Sequence, residues 1–258
     1  MSMNFLDAII LGAIEGVTEF LPISSTGHLI LASHLLKLPD SSFLTSFEIA
    51  IQLGAICAVV LLYWKSFLNI EILKRILAGF VPTAIVGLLL YSFIKHQLLG
   101  NELVVVAALA LGGVVLIMFE FLHKERPGAP EGLETITYRQ AFLVGLAQSV
   151  AVIPGVSRSA ATILGGLVLG IRRTTIVEFS FLLAVPTMGA AVLLDVLKSY
   201  QSFTTDGLGY IAVGFGTAFI VALAAVRFLL KFVKTATFIP FGIYRVVLAA
   251  LFFFLVLY

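Results

Sequence analysis

Residues 15–28 read E-G-V-T-E-F-L-P-I-S-S-T-G-H, placing two carboxylates, two serines, a threonine and a histidine inside otherwise apolar sequence. Glu15 and Glu19 stand at i,i+4 and share one helix face. Carboxylates held together away from water repel, so this pair is expected to share a proton or hold a cation. Ser24, Ser25 and Thr26 follow Pro22. One of the three is expected to cap the helix that starts there, which leaves hydroxyls over for chemistry. His28 lies about one turn into that helix, a proton carrier close to candidate nucleophiles.

A second stretch, residues 148–162, reads Q-S-V-A-V-I-P-G-V-S-R-S-A-A-T and lies 133 positions after the first. Glu15 falls on Gln148, Val17 on Val150, and Ile23-Ser24 on Val156-Ser157. Pro154-Gly155 breaks the helix, Ser157 can cap the next one, and Thr162 follows Arg158 by four residues on the same face. Arg158 is a permanent cation at depth and needs an anion, either Glu15/Glu19 or a bound phosphate. Both short helices begin at polar turns, so both N-termini point toward the centre, and free N-terminal amides attract anions. With Ser157, Ser159 and the first-motif hydroxyls, the constellation is expected to bind phosphate or pyrophosphate. A lipid diphosphate added to Glu15 and Glu19 carries more negative charge than Arg158 and His28 balance. A divalent cation with hard oxygen ligands, Mg²⁺ or Ca²⁺, would make up the difference at Glu15 and Glu19. The sequence has no Cys/His cluster for zinc and no Gly-rich P-loop.

The elements that must position these residues belong to a membrane. Hydrophobic residues are 60% of the chain and charged residues 12%, against roughly half and a quarter in soluble domains. Apolar stretches of spanning length recur, so the reading is an all-α polytopic membrane protein. No cleaved signal peptide is expected from the N-terminal sequence, and the net charge of +2 does not suggest nucleic acid. Residues 4–21 and 26–36 flank the first motif. Eleven helical residues reach only about 17 Å against a hydrocarbon core of about 30 Å, so the pair reads as a re-entrant helix–loop–helix. Spans are expected at 44–64, 76–95 and 103–122, then a polar connector at 124–135. The pattern restarts with 139–153 and 157–170 around the second motif, followed by spans at 177–197, 208–230 and 238–257. The chain is thus one membrane domain of two repeats, about 1–123 and 136–258, with six spans and two re-entrant hairpins. Three crossings per unit make the repeats inverted, as in transporters. Lys65, Lys74, Arg75, Lys124, Arg126, Arg139, Arg172, Arg173, Arg227, Lys231 and Lys234 fall on one side, and Lys37, Lys95 and Lys198 on the other. The positive-inside rule makes the first side cytoplasmic and puts both termini outside. Cys57 is expected to be a buried packing residue. Glu48 and Gln52, at i,i+4, are candidates to line the cavity, and Arg245 is expected to snorkel to the interface or pair with a carboxylate such as Asp195.

The first motif resembles the first signature of the bacterial undecaprenyl-diphosphate phosphatases, also called bacitracin-resistance proteins, including their (E/Q)xxxE pattern. P-G-V-S-R-S-A-A-T at 154–162 is similar to their PGxSRSxxT signature, with Ala160 where that family usually has glycine. I-Q-L-G-A at 51–55 and P-F-G-I-Y-R at 240–245 resemble further blocks. The resemblance implies a phosphatase of the bacterial cell (inner) membrane, converting undecaprenyl diphosphate to the monophosphate carrier of cell-wall precursors and conferring bacitracin resistance. It implies functional positions at Glu15, Glu19, Ser24, Ser25, His28, Ser157, Arg158, Ser159 and Thr162, and a homodimer. In the expected mechanism Glu15 and Glu19 hold the metal or Glu19 acts as base, Ser25 attacks, His28 shuttles the proton and Arg158 stabilises charge; Ser24, Thr26, Ser157, Ser159 and Thr162 bind the diphosphate. His28 or a metal-activated water stays open as the nucleophile. The alternative is a transporter or flippase for an anionic lipid or solute, which needs Arg158 and the helix ends but no nucleophile.

Overall fold

Asn4 starts the first helix through a capping box: its side chain accepts from the Asp7 amide at 3.0 Å, and Asp7 accepts from the Asn4 amide at 2.9 Å. The computed structural model describes residues 3–90, 93, 98, 101–125, 128–199 and 207–258. Among these residues eleven α-helices follow in order: α1 Phe5–Thr18, α2 Ser25–Leu35, α3 Ser42–Leu62, α4 Trp64–Leu68, α5 Ile70–Leu89, α6 Glu102–Leu122, α7 Tyr138–Gln148, α8 Arg158–Val168, α9 Arg173–Ser199, α10 Leu208–Phe232 and α11 Ile239–Phe252. No strand occurs among the described residues. Among the described residues six helices are long and apolar enough to cross a membrane: α3, α5, α6, α9, α10 and α11 with its extension to Val256. α2 and α8 are eleven residues each and too short to cross.

The second span begins earlier than the expected 76–95. Asn69 caps it by accepting from the Glu71 and Ile72 amides, and Glu71 pairs with Lys74 at 2.9 Å and Arg75 at 3.2 Å. Charges that look like a loop in sequence are the polar first turn of the helix. Lys95 and the end of that expected segment lie outside the described residues. Cys57 is exposed rather than packed inside, on the outer apolar face of α3. A small apolar side chain is stable on a surface that faces hydrocarbon.

The two halves interlock. α1 packs on α10 of the second half, and α7, 133 positions further on, packs on α5 of the first. Both contacts are backbone-close. A Cβ on Gly12 would meet the Gly214 carbonyl, and one on Gly145 would meet the Gly79 carbonyl. α6 and α11, the last spans of the halves, pack on each other. Several helix ends also meet at one pole. The Asn69 amide donates to Glu134 at 2.8 Å, the Tyr138 hydroxyl to Glu71 at 2.7 Å, and Arg75 to the Ile136 carbonyl at 2.6 Å. At the same pole Arg173 grips Glu120 through both guanidinium nitrogens, and Arg172 pairs with Glu131 at 3.1 Å. The largest core, built around Phe20, Phe179, Phe181 and Phe238, runs between that pole and the two motif turns.

Candidate active site

After α1 the chain turns through residues 19–23 and re-enters helix at Ser25. After α7 it passes through a 3-10 segment, Ser149–Val152, turns, and re-enters helix at Arg158. The residues before these helices, Ser24 and Ser157, have φ of 70° and 75°, a region that side-chain-bearing residues rarely adopt. The same left-handed backbone thus recurs at two serines 133 positions apart. Their caps differ. The Ser157 hydroxyl accepts from the Ala160 amide at 3.2 Å, whereas none of Ser24, Ser25 and Thr26 caps α2 with its side chain. The α2 amides have no side-chain cap; His28 instead donates from Nδ1 to the Ser24 carbonyl at 2.7 Å.

The two turns face each other across a cavity of about 150 Å³. Glu19, Ser24, Ser25, Thr26 and Gln52 line it from the first half, and Pro154, Gly155, Ser157 and Arg158 from the second. At its centre the Ser25 hydroxyl donates to Glu19 Oε2 at 2.5 Å, and Arg158 Nη2 donates to Glu19 Oε1 at 3.1 Å. One carboxylate therefore joins a hydroxyl and a guanidinium contributed by opposite halves. Arg158 is held further by the Ser180 carbonyl at 2.8 Å and by the face of Phe20, 5.6 Å from the ring centroid. Among the described residues its Nε has no partner. Glu15, one turn before Glu19, is fully buried with both carboxylate oxygens unpartnered.

Not every expected site residue reaches the cavity. Ser159 and Thr162 are fully buried behind its wall. Thr162 bonds the carbonyls of Arg158 and Ser159 and lies 2.6 Å from the Ser180 hydroxyl, so it braces α8 against α9. Ala160 is buried in the helix body, where an ordinary helical residue fits. Gln52 lines the cavity as expected, and Glu48 does not. Gln148, the counterpart of Glu15, donates to Thr83 at 2.9 Å and Thr187 at 3.0 Å. His28 points its Nε2 at the Tyr244 hydroxyl, 2.7 Å away, with the rings stacked at 5.5 Å. A carbonyl only accepts, so Nδ1 carries the hydrogen and Nε2 accepts from Tyr244. His28 thus supports the Ser24 turn instead of touching Ser25. The sequence reading missed Tyr244, although it sits inside the 240–245 block already singled out. Tyr244→Phe removes this support and nothing from the cavity, so kcat should fall by about tenfold or less, in proportion to one neutral hydrogen bond. Steady-state turnover of the variant checks it.

Arg245 corrects another expectation. It does not snorkel; it is fully buried, and among the described residues it bonds to main-chain carbonyls alone. The Asp195 side chain lies outside the described residues.

Chemically, a hydroxyl on a carboxylate oxygen, beside a guanidinium with an unused donor and two helix N-termini, can activate an alcohol and neutralise an oxyanion. Among the described residues no three His, Cys, Asp or Glu converge as a metal cage. The two free oxygens of buried Glu15 nevertheless fit a hard cation that takes its remaining ligands from water and substrate.

Six spans around a buried carboxylate, hydroxyl and guanidinium define a polytopic membrane protein equipped to hold a phosphate-like anion. Residues 8–251 match the family described as Bacitracin resistance protein BacA, and the chain belongs to that family. Among its relatives, the undecaprenyl-diphosphatase of Sulfurihydrogenibium sp. is 50% identical over 97% of this chain and 99% of its own. That of Aquifex aeolicus is 49% identical over 95% of this chain and 96% of its own, and that of Persephonella marina 47% over 99% and 100%.

Proposed function

We propose that this protein hydrolyses undecaprenyl diphosphate to undecaprenyl phosphate and inorganic phosphate, recycling the lipid carrier of cell-wall synthesis and conferring resistance to bacitracin. The observation that carries the reading is the 2.5 Å contact between Ser25 and Glu19, with Arg158 on the other oxygen of the same carboxylate. Family membership and the names of near-full-length relatives support the substrate.

In this mechanism Ser25 Oγ attacks the terminal phosphorus while Glu19 Oε2 takes its proton. The bond to the bridging oxygen breaks, and undecaprenyl phosphate leaves. Arg158 and the amides at the starts of α2 and α8 hold the phosphoryl oxygens. The proton on Glu19 passes to the departing undecaprenyl phosphate; water then attacks the phosphoserine with Glu19 again as base, the Ser25 Oγ–phosphorus bond breaks, and Glu19 returns the proton to Ser25 as phosphate leaves. Glu15 would hold a divalent cation such as Mg²⁺ or Ca²⁺; Glu19 would share it in the alternative in which Glu19 is not the base. When bound, the cation neutralises diphosphate charge and polarises its oxygens.

The short helices α2 and α8 with their preceding arms form re-entrant hairpins in inverted repeats. Their lengths, their 133-residue register and the interlocked packing support this. The basic residues near the Arg75–Arg173 pole support a cytoplasmic pole, extracytoplasmic termini and a diphosphate reached from the outer leaflet. A homodimer belongs to the same reading and rests on the family resemblance.

The test is phosphate release from a long-chain polyprenyl diphosphate by purified protein in detergent, with and without a chelator. Release that stops with chelator and returns with Mg²⁺ or Ca²⁺ is expected. Folded protein that binds the lipid without releasing phosphate would overturn the phosphatase and favour a lipid transporter. Undiminished release in chelator would remove the metal and keep the enzyme.

A further inference from the structure

A fully buried arginine is costly unless its charge and every donor are satisfied. Arg245 meets that requirement in an unusual way. Nε donates to the Leu109 carbonyl at 3.3 Å, Nη1 to those of Pro22 at 3.3 Å and Val156 at 2.9 Å, and Nη2 to those of Ala108 and Gly155, both at 2.9 Å. Pro22 belongs to the first motif turn, Gly155 and Val156 to the second, and Ala108 and Leu109 to α6. One side chain of α11 therefore ties both turns to a span. α6 makes room for it, because a Cβ on Gly112 would meet the guanidinium.

Peptide planarity gives these bonds a consequence inside the cavity. In a trans peptide the N–H points opposite to the preceding C=O. The Val156 carbonyl is directed at Arg245, so the Ser157 N–H is directed away from it. Ser157 lines the cavity, and among the described residues its N–H has no acceptor. Holding that peptide also holds Ser157 at φ 75°, where its hydroxyl caps α8 and leaves its amide free. Resting on the phosphatase reading for its substrate, we propose that Arg245 is a positioning residue. It clamps the Pro22, Gly155 and Val156 carbonyls so that the Ser157 amide stands as a fixed donor to the phosphoryl oxygens opposite Ser25.

Arg245→Lys keeps the charge but cannot reach five carbonyls from a point ammonium. Gly112→Ala displaces the guanidinium without touching the turns. Both are assayed for polyprenyl-diphosphate turnover in detergent beside the wild type, with thermal unfolding as the folding control. Each should lower kcat about 100-fold, the size of one lost oxyanion donor, with KM changed less than about threefold and the shape of the pH profile kept. In the wild type, hydrogen exchange resolved to single residues should show the Ser157 amide slowed by saturating vanadate, with the slowing lost in both variants. Folded variants with wild-type kcat, or a Ser157 amide indifferent to vanadate, overturn the proposal. Where neither variant folds, the wild-type exchange decides. Vanadate protection in a wild type that releases no phosphate would leave the clamp standing and sink the phosphatase reading instead.

Discussion

Ser25→Ala should reduce phosphate release by about 10⁴-fold or more, with the protein still folded and still binding the lipid diphosphate. Ser25 is partly exposed to the cavity and its hydroxyl sits 2.5 Å from Glu19 Oε2, so among the hydroxyls lining the cavity it is the one joined to a carboxylate. Ser24 and Thr26 line the same cavity but donate to no carboxylate. Removing Ser25 deletes the nucleophile and leaves Arg158 on the other oxygen of Glu19, so the pair that joins the halves survives. Rapid acid quench with substrate labelled in the terminal phosphate should place the label on Ser25 in the wild type and nowhere in Ser25→Ala. Label recovered on His28, or a Ser25→Ala variant with substantial turnover, would overturn the serine mechanism.

Arg158→Ala should lose about 10³-fold in kcat and also stability, because it strips the partner from a buried carboxylate. Glu19 and Arg158 side chains are only 7% and 11% exposed, so breaking the pair should cost about 3–5 kcal/mol. The two losses can be separated. Adding Glu19→Gln to Arg158→Ala replaces the stranded charge with a neutral amide, so the thermal midpoint in detergent should recover while activity stays absent. A double variant as unstable as Arg158→Ala would mean that the pair is not what clamps the halves. Arg158→Lys is expected to fold but turn over slowly. An ammonium cannot bond the Ser180 carbonyl, the Glu19 carboxylate and a phosphoryl oxygen from one planar fork.

Much of this centre was legible in the chain because polar groups at depth stand out against apolar sequence. Glu15, Glu19, Ser25 and Arg158 were found that way, and the six spans followed from the length of apolar runs. Direction was harder. Nothing in S-R-S-A-A-T says that Ser159 is buried and Thr162 meets α9 while Ser157 and Arg158 face the cavity, because the turn's positive φ sets the helix phase. The start of α5 was misplaced because Glu71, Lys74 and Arg75 read as a loop, although an asparagine cap stood just before them. Arg245 was misread for a general reason. A lone arginine in an apolar span invites a search for a carboxylate, and main-chain carbonyls freed by distant turns leave no trace in sequence.

The contrast between Glu15 and Gln148 reaches beyond the site. A duplicated unit with its halves inverted, as proposed here, would begin life with the same centre offered to both faces of the membrane. In this chain the acid pair sits in one half only; Glu15 is matched by an amide, Gln148, bonded to Thr83 and Thr187, and Glu19 by Val152. A symmetric ancestor would be ambidextrous. With Val152 at the position that matches Glu19 and Arg158 at the one that matches Ser25, the second turn lacks both the base and the hydroxyl, so two equal centres would have become one.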